Sequence, residues 1–341
     1  MASVLFIGGT GLISTECAAL AAQRGFDVYV LNRGHRPAPA GTAPIVGDIS
    51  QPDNVRQAIA GRHFDVVANF IAYKPEDIAR DLDLFWGRCG SGSKGQYVLV
   101  SSCACCQKPP AHYLVDEQTP LSNPFWQYAQ QKIAFEELAV KMHRERGIPI
   151  TIVRPSLTYG LTRIPAAYHN SACSWTTAHR FLSGKPVIVH GDGTGLWQVT
   201  HAADFAKGFV GLLANPAALG EAFNITTDEV LRWDEILTIQ SELLGVKPNL
   251  IHIPTDFIAR FDPVKVPGLY GDKCHAQVID NAKIKRFVPG FAATISFREG
   301  LAQTLAWFKA DPARRAIDPA HDGLTDRIIA AWRQVATQAA S

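Results

Sequence analysis

Residues 3–9, SVLFIGG, form an almost unbroken apolar run that stops at two glycines. A run this short and this uniformly apolar predicts a strand buried on both faces. Residues 12–24 then place apolar side chains on one side at helical spacing, and Gly25 ends the stretch. The alternation continues down the first half of the chain. DVYVLNR reads as a second strand and APIVGD as a third, and PDNVRQAIAG reads as a short helix closed by Gly61. FDVVANFIA, GQYVLVSS and IPITIVRP read as the fourth, fifth and sixth strands. Apolar strands separated by helices predict a doubly wound α/β architecture with a parallel sheet. Between the fourth and fifth strands, GRCGSGSKGQ reads as a flexible Gly/Ser connection.

After Pro155 the pattern loosens. Helical patterns over residues 234–244 and 297–308 mix with short strands at PVIVHG and NLIHIP. The division expected is a dinucleotide-binding domain over residues 1–155 and a smaller C-terminal lobe, mainly substrate-binding, over 156–330. A segment near 190–215 is expected to return to the first domain. No internal repeat interrupts either part.

Composition narrows the function classes. Hydrophobic residues make up 47% of 341 positions, ample for a packed core, and the net charge is only +2. Proteins that bind nucleic acid by neutralising phosphates carry a stronger basic bias. The densest basic stretch here is KIKR at 283–286. No apolar run approaches the roughly 18 residues of a membrane span. With no secretory pattern at the N-terminus and seven scattered cysteines, the expectation is a cytoplasmic protein with free thiols. Cys103, Cys105 and Cys106 lack metal-ligand spacing and read as small apolar fillers, so no metal site is expected.

Two segments carry chemistry. FIGGTGLIS at 6–14 is a glycine turn between a strand and a helix. Gly8 suits the tight turn, and Gly11 permits close approach of a pyrophosphate to the helix N-terminus, with Thr10, Leu12 and Ile13 completing the cradle. Ser14 stands where a third glycine would let helix and strand pack closely. Asn32 ends the second strand, where an acid would grip the ribose of NAD, and Arg33 follows it. A neutral residue beside a guanidinium favours a 2′-phosphate, so NADP is preferred over NAD. Asp48 and Ile49 end the third strand, where Asp48 meets an adenine amino group or caps the next segment.

The second segment is YAQQK, which places Tyr128 and Lys132 on one helix face. A lysine so placed lowers the tyrosine pKa and orients a ribose, and the tyrosine oxygen then exchanges a proton with a substrate hydroxyl. Ser101 and Ser102 end the fifth strand, at the edge where open parallel sheets bind ligands. A serine hydroxyl there holds the substrate oxygen beside the tyrosine.

Taken together, FIGGTGLIS, GDI, VLVSS, YAQQK, IVRPSLTYG, GDGTGLWQVTHAADFA and GEAFNITTDEVLRWDEI resemble an extended short-chain dehydrogenase/reductase of the NAD-dependent epimerase/dehydratase group. The resemblance spans nearly the whole chain and implies a Rossmann sheet. It implies Tyr128 as base and acid, Lys132 as its ribose-binding partner, and Ser102 as third member, with Ser101 as fallback. Pro155 and Ser156 would line the nicotinamide. It also implies a possible homodimer, by analogy alone.

The chain departs from that family in places that matter. Sugar-nucleotide dehydratases carry an Asp-Glu pair just after the active hydroxyl residue, whereas Cys103 and Ala104 stand here, so elimination of water is not expected. Trp197 occupies the position of an arginine that clamps a nucleotide-sugar diphosphate, which argues against such a substrate. An indole there stacks on a substrate ring or packs the lobe.

The loop TRIPAAYHNSACSW offers Arg163, Tyr168, His169, Asn170 and Trp175 as substrate candidates, and His201 is another. Asp116 and Glu117 read as capping or solvated residues, and QKPP at 107–110 as a rigid pocket rim. The function expected is an NAD(P)-dependent epimerase acting at a secondary alcohol of a sugar-like small molecule through a transient ketone. The alternatives are an NADPH-dependent ketone reductase on a non-nucleotide small molecule and, in another class, a catalytically silent sensor or RNA-binding protein on the same fold.

Overall fold

A computed structural model gives the architecture and describes residues 1–85, 95–170 and 172–340. Most of the expected Gly/Ser connection, residues 87–94, lies outside the described residues. The central sheet has seven strands: β1 (Ser3–Ile7), β2 (Asp27–Asn32), β3 (Ala43–Val46), β4 (Val66–Asn69), β5 (Gln96–Val100), β6 (Ile150–Pro155) and β7 (Ala222–Ile225). They lie in the order β3-β2-β1-β4-β5-β6-β7, every pair parallel. The chain builds outward from β1 to β3, then crosses back to place β4 on the other side of β1. Such a crossing leaves a crevice at the carboxyl ends of β1 and β4.

The apolar strands are explained by burial on both faces. Val4, Phe6, Val30, Ala68 and Val98 pack one way, with the helix Ala202–Gly211 and α1 (Ser14–Gln23). Leu5, Ile7, Leu31, Val67 and Leu99 pack the other way, with α2 (Pro52–Ala58), α3 (Pro75–Phe85) and α4 (Gln127–Arg146). Alternate residues along each strand thus serve opposite layers. Helix α4 ends where Gly147 turns to φ +63 and its N–H bonds the carbonyl of His143.

The sequence pattern predicts six strands, and the sheet has a seventh. β7 has only four residues, AFNI, too short to register by periodicity, and is fixed by its register against β6 (Phe223 opposite Val153). Segments from the second half also share a core cluster with β1. Helix Ala202–Gly211, strand β7 and the apolar side chains Ile284, Val288 and Phe291 all join the core beneath β1. The rest of the second half forms the lobe. Val187–His190 pairs in parallel with Leu250–Ile253, and the helices Trp233–Leu243 and Phe297–Lys309 cover a cluster containing Trp175, Trp197 and Trp233. Among the described residues no helix is long and apolar enough to cross a membrane.

A buried ion pair ties α4 to the sheet. Arg154 of β6 donates from Nε to Glu136 Oε1 at 3.0 Å and from Nη2 to Oε2 at 2.6 Å, with the two residues 5% and 1% exposed. The fork geometry is the favourable one for such a pair. Removing one partner leaves an uncompensated charge in the core. Replacing Glu136 with Ala is therefore expected to cost about 3–5 kcal/mol in urea unfolding, and the double change Glu136→Leu with Arg154→Met to recover most of it.

Candidate active site

A cleft of about 670 Å3 opens at the carboxyl ends of β1, β4, β5 and β6. Its dinucleotide wall is the glycine turn. Gly8 sits at φ +78, and a Cβ there would lie 2.5 Å from Ile71 Cγ2, so only glycine fits. Gly11 has ordinary backbone geometry, and a Cβ there would meet the Ser14 hydroxyl at 3.2 Å. Ser14 does more than relax the packing of helix on strand. Its Oγ donates to the Gly8 carbonyl at 2.7 Å and accepts from the Gly11 N–H at 2.9 Å, so it staples the turn. No side chain caps α1 at Ile13, and Gly8, Gly11, Leu12 and Ile13 all face the cleft. A glycine turn backed by an uncapped helix N-terminus fits a dinucleotide pyrophosphate.

The remaining expected cofactor residues divide. Pro155 lines the cleft. Thr10, Asn32, Arg33, Asp48 and Ile49 do not. Asn32 Oδ1 accepts from the Gly34 N–H at 2.7 Å, while its Nδ2 is buried with no partner, a donor suited to a ribose oxygen. Arg33 is exposed. Arg36, which the sequence reading overlooked, reaches the turn by donating to the Thr10 carbonyl at 3.3 Å. Asp48 Oδ1 accepts from the Ser50 N–H and hydroxyl in the turn before α2, which holds the carboxyl below its ordinary range. Ile49 is buried in the core cluster beside Ile45 and Val55.

The chemical wall comes from α4 and the end of β5. Lys132, 2% exposed, donates from Nζ to the Ala72 carbonyl at 2.6 Å and the Val100 carbonyl at 2.7 Å. Burial pulls its pKa down to about 8, against nearby acids that raise it. Tyr128 is half-buried against Trp126, with ring centroids 4.7 Å apart. Burial pushes its phenol well above the ordinary value, and hydrogen bonding to Ser102 pulls the other way. The sequence reading expects the lysine to lower the tyrosine pKa; in this dry pocket desolvation dominates instead. Ser102 faces the cleft and its Oγ also accepts from the Ala104 N–H at 3.2 Å. Ser101 lines the cleft as well, with its Oγ 3.6 Å from Cys105 Sγ. The Cys103, Cys105 and Cys106 thiols are all buried and raised by desolvation, Cys105 to about 12.

The substrate end differs from expectation. His169 and Trp197 line the cleft, but Tyr168 and His201 do not. The Tyr168 hydroxyl donates to Asp262 at 3.0 Å within the lobe core. His201 caps helix Ala202–Gly211 by accepting the Ala203 N–H at 3.3 Å, and its ring meets Tyr159 edge-on. Asn170 is bound to Asp318 and Trp175 stacks on Phe308 at 5.4 Å, so both are structural. Glu117 does not simply solvate its loop: Oε1 accepts the Asn224 N–H at 2.8 Å and secures β7. Trp197 packs the lobe. It is 1% exposed and packs on Trp233 at 5.4 Å, yet one edge faces the cleft. Arg163 lines the cleft, and Trp126, Asp272, Lys273 and Gln277, which carry no motif, join it.

Residues 4–226 match the NAD dependent epimerase/dehydratase family. The chain belongs to that family. It is 26% identical over 260 residues to 2'-dehydrokanamycin reductase of Streptomyces kanamyceticus, covering 75% of this chain and 70% of that one. It is 25% identical over 274 residues to the chloroplast stem-loop binding protein of 41 kDa b of Arabidopsis thaliana, covering 74% and 67%. Among solved structures, the epimerase Mth375 of Methanothermobacter thermautotrophicus superposes with a TM-score of 0.73 at 20% identity, covering 92% and 93%. MoeE5 in complex with UDP-glucose and NAD does so at 0.66 and 22%, covering 90% and 99%. At these identities the structures speak for the fold. The family's enzymes are NAD(P)-dependent epimerases, dehydratases and reductases, and this chain is an enzyme of that extended type.

Two outcomes follow from the geometry. Ser14→Gly restores the third glycine but removes the staple, so thermal unfolding should show a loss of about 1–2 kcal/mol while NAD binding stays within a few-fold. Lys132 binds fewer protons when folded than when unfolded between about pH 8 and its ordinary value of 10.5. The penalty for burying its charge is complete below that window and fades as pH rises through it. Chemical unfolding of the wild type should therefore gain stability across the window relative to Lys132→Met.

Proposed function

We propose that the chain interconverts a secondary alcohol and its ketone on a sugar-like small molecule, as an epimerase working through a transient ketone. The observation that carries this is the convergence of Ser102, Tyr128 and Lys132 on the cleft that the glycine turn also lines. A nicotinamide dinucleotide, when bound, supplies hydride acceptance and return. The residues do the rest. Tyr128 as the phenol gives its proton to the ketone oxygen, and only as the phenolate, having first released that proton, does it take one from the alcohol; burial favours the phenol and the Ser102 hydrogen bond favours the phenolate. Ser102 donates to the same oxygen and holds it beside the phenol. Lys132 spends two donors on the Ala72 and Val100 carbonyls, leaving the third for a ribose hydroxyl. Cys103 and Ala104, both buried, supply no acid or base for dehydration.

Net reduction is the second reading, and one observation favours it. Trp197, which the resemblance puts at the family's diphosphate clamp, packs on Trp233, and this favours a substrate without a nucleotide. The similarity to a 2'-dehydrokanamycin reductase points the same way. An RNA-binding role, suggested by the name of the chloroplast relative, gains no support from a net charge of +2 and an intact Tyr–Lys pair.

Cofactor stoichiometry separates the two enzymatic readings. An epimerase should convert its substrate with the nucleotide it carries through purification; turnover that consumes added NADPH mole for mole would establish the reductase instead. In either case Tyr128→Phe should lower kcat by about 10²–10⁴-fold and leave the nucleotide Kd unchanged. The coenzyme is tested by Arg36→Ala, which should weaken NADP binding by about 1.5–3 kcal/mol and NAD binding much less, as expected for a lost hydrogen bond to a charged phosphate.

A further inference from the structure

The cleft beyond Tyr128 holds donors with nothing to bind. Arg163 is half-buried and its guanidinium has no ion pair or hydrogen bond with any described residue. Trp197 Nε1 and His169 Nδ1 are buried without partners. Lys273 touches Asp272 at 3.4 Å and lies over the Trp126 ring at 5.4 Å. These groups belong to one patch. The carbonyl of Lys273 accepts from Trp233 Nε1 at 3.2 Å, and Trp233 packs on Trp197. Burial, with the charges of Lys273 and Arg163 adding to it, pulls the His169 imidazole pKa down to about 3. Among the described residues, Asp272 is the sole carboxylate lining the cleft, against Lys132, Arg163 and Lys273. An unpaired guanidinium in a half-dry wall is costly unless a ligand completes it.

We infer that this patch receives an anionic oxygen group of the substrate, with Arg163 as its forked donor and Lys273 and Trp197 Nε1 beside it. The inference rests on the reading that the cleft beyond Tyr128 takes substrate. A carboxylate and a phosphate monoester offer the same acceptor chemistry, and both match a guanidinium fork. The clamp lost at Trp197 is thereby replaced by a cation on a different segment, aimed at one anionic group on the sugar-like body. The competing role for Arg163 is the dinucleotide itself, because Gly160, three residues earlier, lies close to Leu12 of the glycine turn.

The test uses the NAD-loaded chain and calorimetric titration with glucuronate, galacturonate, glucose 6-phosphate and the neutral parent sugars. At least one charged sugar should bind about tenfold or more tightly than its neutral parent, and Arg163→Gln should erase that ratio with NAD affinity held within about twofold. Preference for the uronates assigns the group as a carboxylate; preference for the phosphate assigns a monoester. Lys273→Gln, which leaves Arg163 in place, should reduce the ratio partially and serves if Arg163→Gln does not fold. The inference is overturned if neutral and charged sugars bind alike, if none of the charged sugars binds, if Arg163→Gln keeps the preference, or if it loses NAD along with it. Anion preference in a chain that never oxidises or reduces a sugar would leave this patch standing and remove the proposed function. Hydride transfer with no anion preference would do the reverse.

Discussion

One face of helix α4 carries Tyr128, Lys132 and Glu136 at four-residue intervals, and each is fixed to a different part of the sheet. Glu136 holds Arg154 of β6. Lys132 bridges the carbonyl that ends β5 and a carbonyl just beyond β4. Tyr128, at the open end of the stripe, is left facing the cleft. Two buried cationic contacts below it on the helix thus help to set its position, alongside its own contacts with Trp126 and Ser102. Helix α4 cannot shift by a turn, or rotate, without breaking both. The glycine turn is held against the same crevice from the other side, by Gly8 against Ile71 and by the Ser14 staple. Cofactor wall and proton-transfer wall meet because β1, β4, β5 and β6 end together at the switch point of the sheet.

The same burial sets the electrostatics. Lys132 meets two neutral carbonyls and the Tyr73 and Phe135 rings, with no carboxylate in direct contact among the described residues, so desolvation draws it down, and Tyr128 is driven up by the same cause. Both groups move toward their uncharged forms. In the proposed reaction such a phenol gives a proton to a ketone oxygen, and taking one from an alcohol requires the hydroxyl of Ser102 and the ammonium of Lys132 to favour the anion at that moment. Water exclusion strengthens those interactions while making each ionised state more expensive alone.

Much of this was legible in the sequence, and the parts that were share one property: they are local. The apolar strands, the turn at Gly8 and Gly11 and the four-residue spacing of Tyr128 and Lys132 are all contained within short windows. The seventh strand was not legible because AFNI is too short to show a period and gains its identity from its partner β6. Ser14 looked like a lapse from the glycine pattern because its worth lies in two hydrogen bonds that only the folded turn creates. Tyr168 and His201 stood out as polar residues in suggestive segments, but Asp262 and the Ala203 N–H, both invisible to a linear reading, had already claimed them. Trp126, Lys273 and Gln277 went unnoticed for the opposite reason, since nothing around them in sequence marks them.

The substrate wall extends that lesson to chemistry. Replacing an arginine clamp by Trp197 removes a charge from one segment, and a linear reading ends there. In the fold, the indole closes over Trp233, and Trp233 anchors the backbone of Lys273. The aromatic pair thus does not leave the cleft neutral. It positions a cation from a segment some 75 residues away in sequence, on the same wall as Arg163. Charge has moved relative to the ring stack rather than disappeared. A site arranged this way selects by where an anionic group sits on the substrate, and a rigid indole beside the donors makes that placement less forgiving than a flexible clamp would.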